Sequence, residues 1–341
     1  MLNVGIIGAS GYAGEELIDV LLGHPQARIN YLAAKLDKKQ AITEIFPRFK
    51  ERTALVCNNE IDLKEVSKKC DLVFLALPHT VSMEFVPKLL NSGAKVIDLS
   101  ADYRLKDVAV FEKFYKAKHR DKAKIKEAVY GLPEIYRNKI KTAKLIANPG
   151  CYPTVSLLAL APLLAFTLVD PDSIIIDAKS GVTGAGRKAA ADFFFSEINE
   201  DFRAYKINSH QHMPEINQEL SVLADKKIAV TFVPHLLPLN RGILVSIYAN
   251  KNQKSKLQSQ NLIALYKKFY KDEPFVRIKE EGEFPKLKDV QKTNFCDIGI
   301  QDSKDKVIII ACIDNLLKGA SGQAVQNMNI MCDFPEGTAL F

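Results

Sequence analysis

Leu2-Asn3-Val4-Gly5-Ile6-Ile7-Gly8-Ala9-Ser10-Gly11-Tyr12-Ala13-Gly14 decides the first half of the fold. An apolar run of strand length ends at Gly8, and a helical stretch, residues 15–22, follows at once. Three glycines between a strand and a helix let backbone approach a pyrophosphate, whose charge meets the positive end of the helix. The spacing is G-x-x-G-x-x-G rather than the commoner G-x-G-x-x-G, so the place directly after the first strand carries the reading. Gly8, Ser10, Gly11, Tyr12 and Gly14 are therefore expected to contact a dinucleotide. Residues 28–33, 71–77, 95–99 and 144–147 read as further strands, several of them apolar throughout. Strands covered on both faces have that composition, which predicts an α/β domain with a Rossmann-type, doubly wound parallel sheet.

From about residue 173 the pattern changes. Longer strands at 173–178, 227–233, 242–249 and 306–313 alternate with irregular loops, which predicts an α+β domain with a mixed sheet. A chain of 341 residues exceeds one ordinary core. The expected division is a nucleotide-binding domain over 1–150, a catalytic and oligomerisation domain over 151–314, and a C-terminal helix from 315–341 that rejoins the first. That helix, near 315–332, is rich in small residues (Gly319, Ala320, Ser321, Gly322, Ala324), so it can approach another element closely.

Composition excludes more than it assigns. Hydrophobic residues make up 47% and charged residues 26%, and no apolar run approaches the ~20 residues of a membrane span. The first residues lack the features of a signal peptide, which predicts a cytoplasmic protein. Six cysteines without C-x-x-C spacing predict reduced thiols, with neither a disulfide framework nor a bound metal. The formal charge of +7 suits an anionic substrate or a phosphate-bearing cofactor. Lys116, Lys118, Arg120, Lys122, Lys124 and Lys126 recur at every second position without interleaved aromatics, so they read as a solvated surface segment and not a nucleic-acid site.

The chemistry centres on Asn148-Pro149-Gly150-Cys151-Tyr152-Pro153-Thr154. A Pro-Gly turn presents Cys151 at the start of an apolar helix, expected to begin near Pro153. Unpaired backbone N–H groups and the positive helix end both favour thiolate. His210-Gln211-His212-Met213-Pro214-Glu215-Ile216 places two histidines before a helix that Pro214 can start. At i, i+2 and without further ligands they suit acid–base work better than a metal.

Asp98-Leu99-Ser100-Ala101-Asp102-Tyr103-Arg104 ends a parallel strand, where ligands of open α/β sheets bind. Ser100 and Arg104 are candidates for holding phosphate or carboxylate, with an Asp102–Arg104 ion pair as the bland alternative. Ser180-Gly181-Val182-Thr183-Gly184-Ala185-Gly186-Arg187 is a second glycine-rich loop and a possible anion cradle, without a P-loop ending. Pro234-His235-Leu236-Leu237-Pro238-Leu239-Asn240-Arg241-Gly242 supplies another arginine. The second strand ends Ala33-Ala34-Lys35, where an NAD site would carry an acid. A lysine there neutralises a 2′-phosphate, so NADP is expected over NAD despite Asp37. Gly181 and Asn315 join the expected cofactor contacts, and Arg187 and Arg241 the substrate contacts.

Segments 8–14, 99–104, 129–134, 148–154, 180–187, 210–216, 234–242 and 314–329, in that order, resemble the long form of the N-acetyl-gamma-glutamyl-phosphate reductase family of arginine biosynthesis. The resemblance runs to about residue 330. It implies Cys151 as nucleophile and a histidine of the pair as base, His212 preferred over His210, and a homotetramer or homodimer. It further implies NADPH-dependent reduction of N-acetyl-gamma-glutamyl phosphate to the semialdehyde, through a Cys thioester. One position departs: the family usually has Arg where this chain has Gln211. The same chemistry on N-acetyl-aminoadipyl phosphate or aspartyl phosphate, and a non-catalytic dinucleotide sensor, are the alternatives.

Overall fold

The computed structural model describes residues 1–187, 190–253 and 261–341. It forms two compact units, Met1–Pro149 with Ala320–Phe341, and Gly150–Gly319.

The first unit is built on an eight-stranded sheet in the order Gln40–Ala41, Val56–Asn58, Ala27–Ala33, Leu2–Ile7, Leu72–Leu75, Lys95–Asp98, Leu145–Ala147, Val129–Tyr130. Every neighbouring pair is parallel except the first. Leu2–Ile7 pairs with Ala27–Ala33 on one side and Leu72–Leu75 on the other. The glycine turn therefore leaves the sheet where strand order reverses, the position at which such sheets bind ligands. The outer strands Gln40–Ala41, Val56–Asn58 and Val129–Tyr130 escaped the sequence reading because two or three residues show no period. The lysine tract follows helix Val108–Tyr115, anchored beneath by buried His119 and Ile125. Its charges meet surface partners, Arg120 with Glu84 and Lys124 with Glu127.

The C-terminal return is shorter than the helix expected near 315–332. A π-helical turn, Leu317–Ser321, precedes the α-helix Gly322–Met331. Every side chain of that helix is buried, including four amides. Buried amides need partners, and the NH2 groups of three of these donate to neighbouring carbonyls and side chains. Asn327 donates to the Gly131 carbonyl at 2.8 Å and to Asn148 Oδ1 at 3.1 Å. Gln326 donates to Glu134 and Glu336, and Asn329 to the carbonyls of Glu336 and Thr338.

The second unit carries a seven-stranded mixed sheet, ordered Arg203–Ala204, Thr231–Leu237, Ile175–Gly181, Ile243–Asn250, Lys306–Ile313, Cys296–Asp302, Val276–Ile278. Register puts Ile176, Phe232, Ile247, Ile309 and Ile300 on one buried face. Thr231–Leu237 runs through Pro234, where the sequence reading stopped it. Proline lacks a ladder N–H, but its carbonyl accepts the Tyr205 amide at 3.0 Å beside the short edge strand.

Helix Cys151–Ala165 is apolar on all sides, as a helix enclosed by its domain must be. Helix Met213–Ala224 packs along it. Pro162 lies inside the helix and removes the N–H that Leu158 would otherwise receive. Tyr270 Oη replaces it, donating to the Leu158 carbonyl at 2.6 Å, and Tyr266 Oη donates to Ala159 at 2.6 Å. Tyr270→Phe therefore strands a buried carbonyl and should lower stability by about 1–3 kcal/mol. In a Pro162→Ala background, where a backbone donor returns, the same change should cost less; a double-mutant cycle by chemical denaturation measures the difference.

Candidate active site

Cys151 is the first residue of its helix, two positions earlier than the sequence reading began it. Gly150 is the N-cap, with extended backbone (φ −71°, ψ 158°), and its carbonyl accepts the Thr154 amide and Oγ1, each at 2.9 Å. That bond closes the first i→i−4 rung and leaves Pro153 in the first turn, where its missing donor is harmless. Glycine has no side chain to cap the end, so Cys151 stands at an electropositive helix start, the setting that favours thiolate. Burial pushes the Cys57 thiol up to about 11 and those of Cys70 and Cys312 up to about 12, and also raises Cys332. Cys151 is half-buried.

Gly319 backs the nucleophile. A Cβ added there would lie 2.8 Å from Cys151 Cβ, closer than real Cβ atoms approach. The small-residue stretch anticipated this closeness without naming the neighbour.

Both histidine rings lie against Tyr152, the residue after the nucleophile. Tyr152 meets His210 edge-to-face at 5.4 Å and His212 at 5.9 Å, and the two imidazoles are 4.9 Å apart. The His212 amide donates to His210 Nδ1 at 3.0 Å, so neutral His210 carries its proton on Nε2. His212 is the N-cap of Met213–Ala224 and half-buried, whereas His210 is buried. Tyr152 Oη and Tyr205 Oη are 3.3 Å apart. Burial raises both phenols, Tyr205 to about 12, so both remain neutral. Gln211 accepts from Lys206 Nζ at 3.4 Å, a neutral amide where the family usually has a cation.

The second glycine-rich loop is latched to the 238–242 loop. Thr183 Oγ1 donates to the Asn240 carbonyl at 2.6 Å, Asn315 Nδ2 donates to Thr183 Oγ1, and Asn315 Oδ1 accepts the Gly242 amide. A Cβ on Gly181 would lie 2.8 Å from Arg241 N. Gly181 and Asn315, expected as cofactor contacts, thus hold two loops together. Arg241 forms a bidentate pair with fully buried Asp314, at 2.7 and 2.9 Å. Asp314 also accepts three backbone amides, so the pair organises the turn before Leu317. Arg187 is exposed at the end of its loop.

In the first unit the glycine turn fits the phosphates of a dinucleotide. Gly8 has φ +95°, and a Cβ there would lie 2.2 Å from the Ala76 carbonyl oxygen; one on Gly14 would lie 2.4 Å from that of Gly8. Helix Tyr12–Leu22 starts without a side-chain cap hydrogen bond at Gly11, the kind of helix start at which anions bind. Glu15 in the first turn is neutralised by Arg48 at 2.9 Å. Lys35 is exposed just beyond the second strand. Ser100 is tied to fully buried Asp98, Oγ donating at 2.7 Å. Asp102 accepts the amides of Thr80 and Met83, at 2.6 and 3.1 Å. Arg104 donates Nε to the Asn148 carbonyl and Nη2 to that of Leu99, each at 2.7 Å.

Residues 3–143 match the semialdehyde dehydrogenase NAD binding domain, and residues 151–315 the semialdehyde dehydrogenase dimerisation domain. The fold is that of aspartate semialdehyde dehydrogenase II from Vibrio cholerae complexed with ASA, at TM-score 0.72, 17% identity and 98% coverage of each chain. The Candida albicans aspartate semialdehyde dehydrogenase with NADP gives TM-score 0.70 and 15% identity over 97% of this chain and 98% of that one. The domain matches and shared fold define a semialdehyde dehydrogenase. N-acetyl-gamma-glutamyl-phosphate reductases of Desulfotalea psychrophila and Acetivibrio thermocellus are 48% and 47% identical, over 100% of this chain and 98% of their own length. The chain belongs to the N-acetyl-gamma-glutamyl-phosphate reductase family.

Two expectations follow. Gly319→Ala should displace Cys151 and slow its alkylation by iodoacetamide roughly tenfold or more while the circular dichroism spectrum stays unchanged. Burial, with the Asp102 charge beside it, pushes the Asp98 carboxyl from 3.8 up to about 7. The folded state then binds the proton more tightly than the unfolded chain, so this group's contribution to stability is present below about pH 4 and lost as pH rises towards 7. Asp98→Asn should flatten that fall, and urea denaturation from pH 4 to 7 reads the slopes.

Proposed function

We propose that the protein reduces N-acetyl-gamma-glutamyl phosphate to N-acetylglutamate 5-semialdehyde, with NADPH as reductant and phosphate as the leaving group. The observation that carries this is Cys151 at an uncapped helix start with the His210–His212 pair packed on the adjacent Tyr152.

The Cys151 thiolate attacks the γ-carbonyl, a C–S bond forms, and the C–O bond to phosphate breaks. A thioester remains, which accepts hydride where a carboxylate would not; covalent catalysis divides one hard step into two. NADPH supplies that hydride when bound. The resulting thiohemiacetal loses its proton, the C–S bond breaks, and aldehyde and thiolate are released. The Tyr152 backbone N–H, at the helix start, stabilises the tetrahedral oxyanion. His212 gives and takes the proton, and His210, with Nδ1 held by the His212 amide, supports it.

Gly8, Ser10, Gly11, Tyr12 and Gly14 hold the cofactor phosphates, and Lys35 favours NADP. Ser100 and Arg187 contact the substrate. Arg104 and Arg241 are further candidates for the substrate's anionic groups; a guanidinium has five donors, so the contacts each already makes are compatible with that role. The protein self-associates as a homodimer or homotetramer through the second unit, where Phe194 and Phe195 are 58% and 78% exposed. Six free thiols suit the cytoplasm. Among the described residues no helix is long and apolar enough to cross a membrane.

Purified enzyme given NADP, phosphate and N-acetylglutamate semialdehyde should form NADPH, with weaker turnover of the aminoadipate and aspartate semialdehydes. Cys151→Ala should lower the rate roughly a thousandfold or more while NADP binding persists. An active Cys151→Ala enzyme ends the reading.

A further inference from the structure

Glu215 lies in the first turn of Met213–Ala224 and is only 1% exposed. A glutamate three residues after an N-cap ordinarily turns back to accept the N-cap amide, completing a capping box. Here the N-cap is His212, and its amide is taken by His210 Nδ1 at 3.0 Å. The Glu215 carboxylate crosses instead to the next helix. Its Oε1 accepts the Gly150 amide at 2.8 Å. Gly150 immediately precedes Cys151 and is the N-cap of the helix that carries it.

We propose that Glu215 is a positioning residue that sets the nucleophile against its acid–base partner. One carboxylate is anchored three residues beyond His212 and grips the residue before Cys151. The chain separates these turns by more than fifty residues, and no covalent feature fixes their spacing. The hydrogen bond fixes it at the Gly150 amide. Gly150 can change backbone angles more cheaply than any other residue, so an unanchored cap would let Cys151 drift. Displacements of about 1 Å reduce catalysis by up to a hundredfold without touching the reacting groups. What matters is therefore the placement of the acceptor oxygen and not the charge it carries. The kinetic part rests on the function proposed above.

Glu215→Gln keeps an acceptor oxygen at the same reach and removes the charge, whereas Glu215→Asp keeps the charge and withdraws the oxygen by one methylene. The glutamine variant should keep kcat within about threefold of the parent. The aspartate variant should lose roughly ten- to a hundredfold in kcat with KM for the semialdehyde changed less than threefold. Hydrogen exchange at the Gly150 amide provides a readout independent of turnover: protected in the parent and in Glu215→Gln, at least tenfold faster in Glu215→Asp. The reverse ranking would assign the role to charge, and two variants indistinguishable from the parent would remove it altogether; either overturns the proposal. A parent inactive on the semialdehyde with the exchange pattern intact would refute the function and leave the anchor standing.

Discussion

An α-helix that begins at its nucleophile leaves its first N–H groups without helical partners, and the rest of the second unit is arranged around that constraint. The end could have been closed by a serine or aspartate cap, as is usual. Gly150 offers none, and the positive end of the helix is left for Cys151. The groups that flank this end are held from outside. Glu215 takes the Gly150 amide, Thr154 doubles the bond to its carbonyl, and Gly319 closes against the Cys151 Cβ. Further along, the same helix contains a proline, and Tyr270 supplies the donor that Pro162 removes.

The first unit solves a related problem with different material. Its C-terminal helix is buried and yet carries glutamine and asparagine at successive turns. Those amides satisfy loop carbonyls that have no strand or helix partner, among them that of Gly131. Asn148 accepts from Asn327 and donates to the Ala320 carbonyl, while its own carbonyl accepts from Arg104. The turn that leads out of this unit towards Gly150 is thereby fixed from three directions, two residues before the chain enters the second unit. Rigid placement of the turn matters because a loosely held cysteine would lose catalytic geometry faster than the fold loses stability.

The sheet architecture was legible because glycine and β-branched runs act locally. Gly8 needs positive φ and Gly14 close packing, and both needs are visible in the string itself. Cys151 was legible for the same reason, since proline and glycine around it fix the backbone. The arginines were not. A guanidinium reads as an anion grip until its partner is known, and the Asp314 that binds Arg241 lies far along the chain. Arg104 likewise faces carbonyls, which no motif announces. Glu215 departs from the capping-box pattern, because the N-cap amide it would accept is taken by His210. Gly319 stood out only as a small residue, and nothing in its own segment names Cys151 as the atom it must clear.

The same distinction separates two neighbours in the histidine segment. Gln211 replaces the family's usual cation and accepts from the side chain of exposed Lys206. His210 cannot vary freely, for its Nδ1 is an acceptor in the backbone scheme that diverts Glu215 towards Gly150. A residue of the histidine pair therefore shapes the nucleophile's turn even if it never touches substrate. Chemistry and scaffold meet in one imidazole, which is why a reading confined to acid–base roles undervalues it.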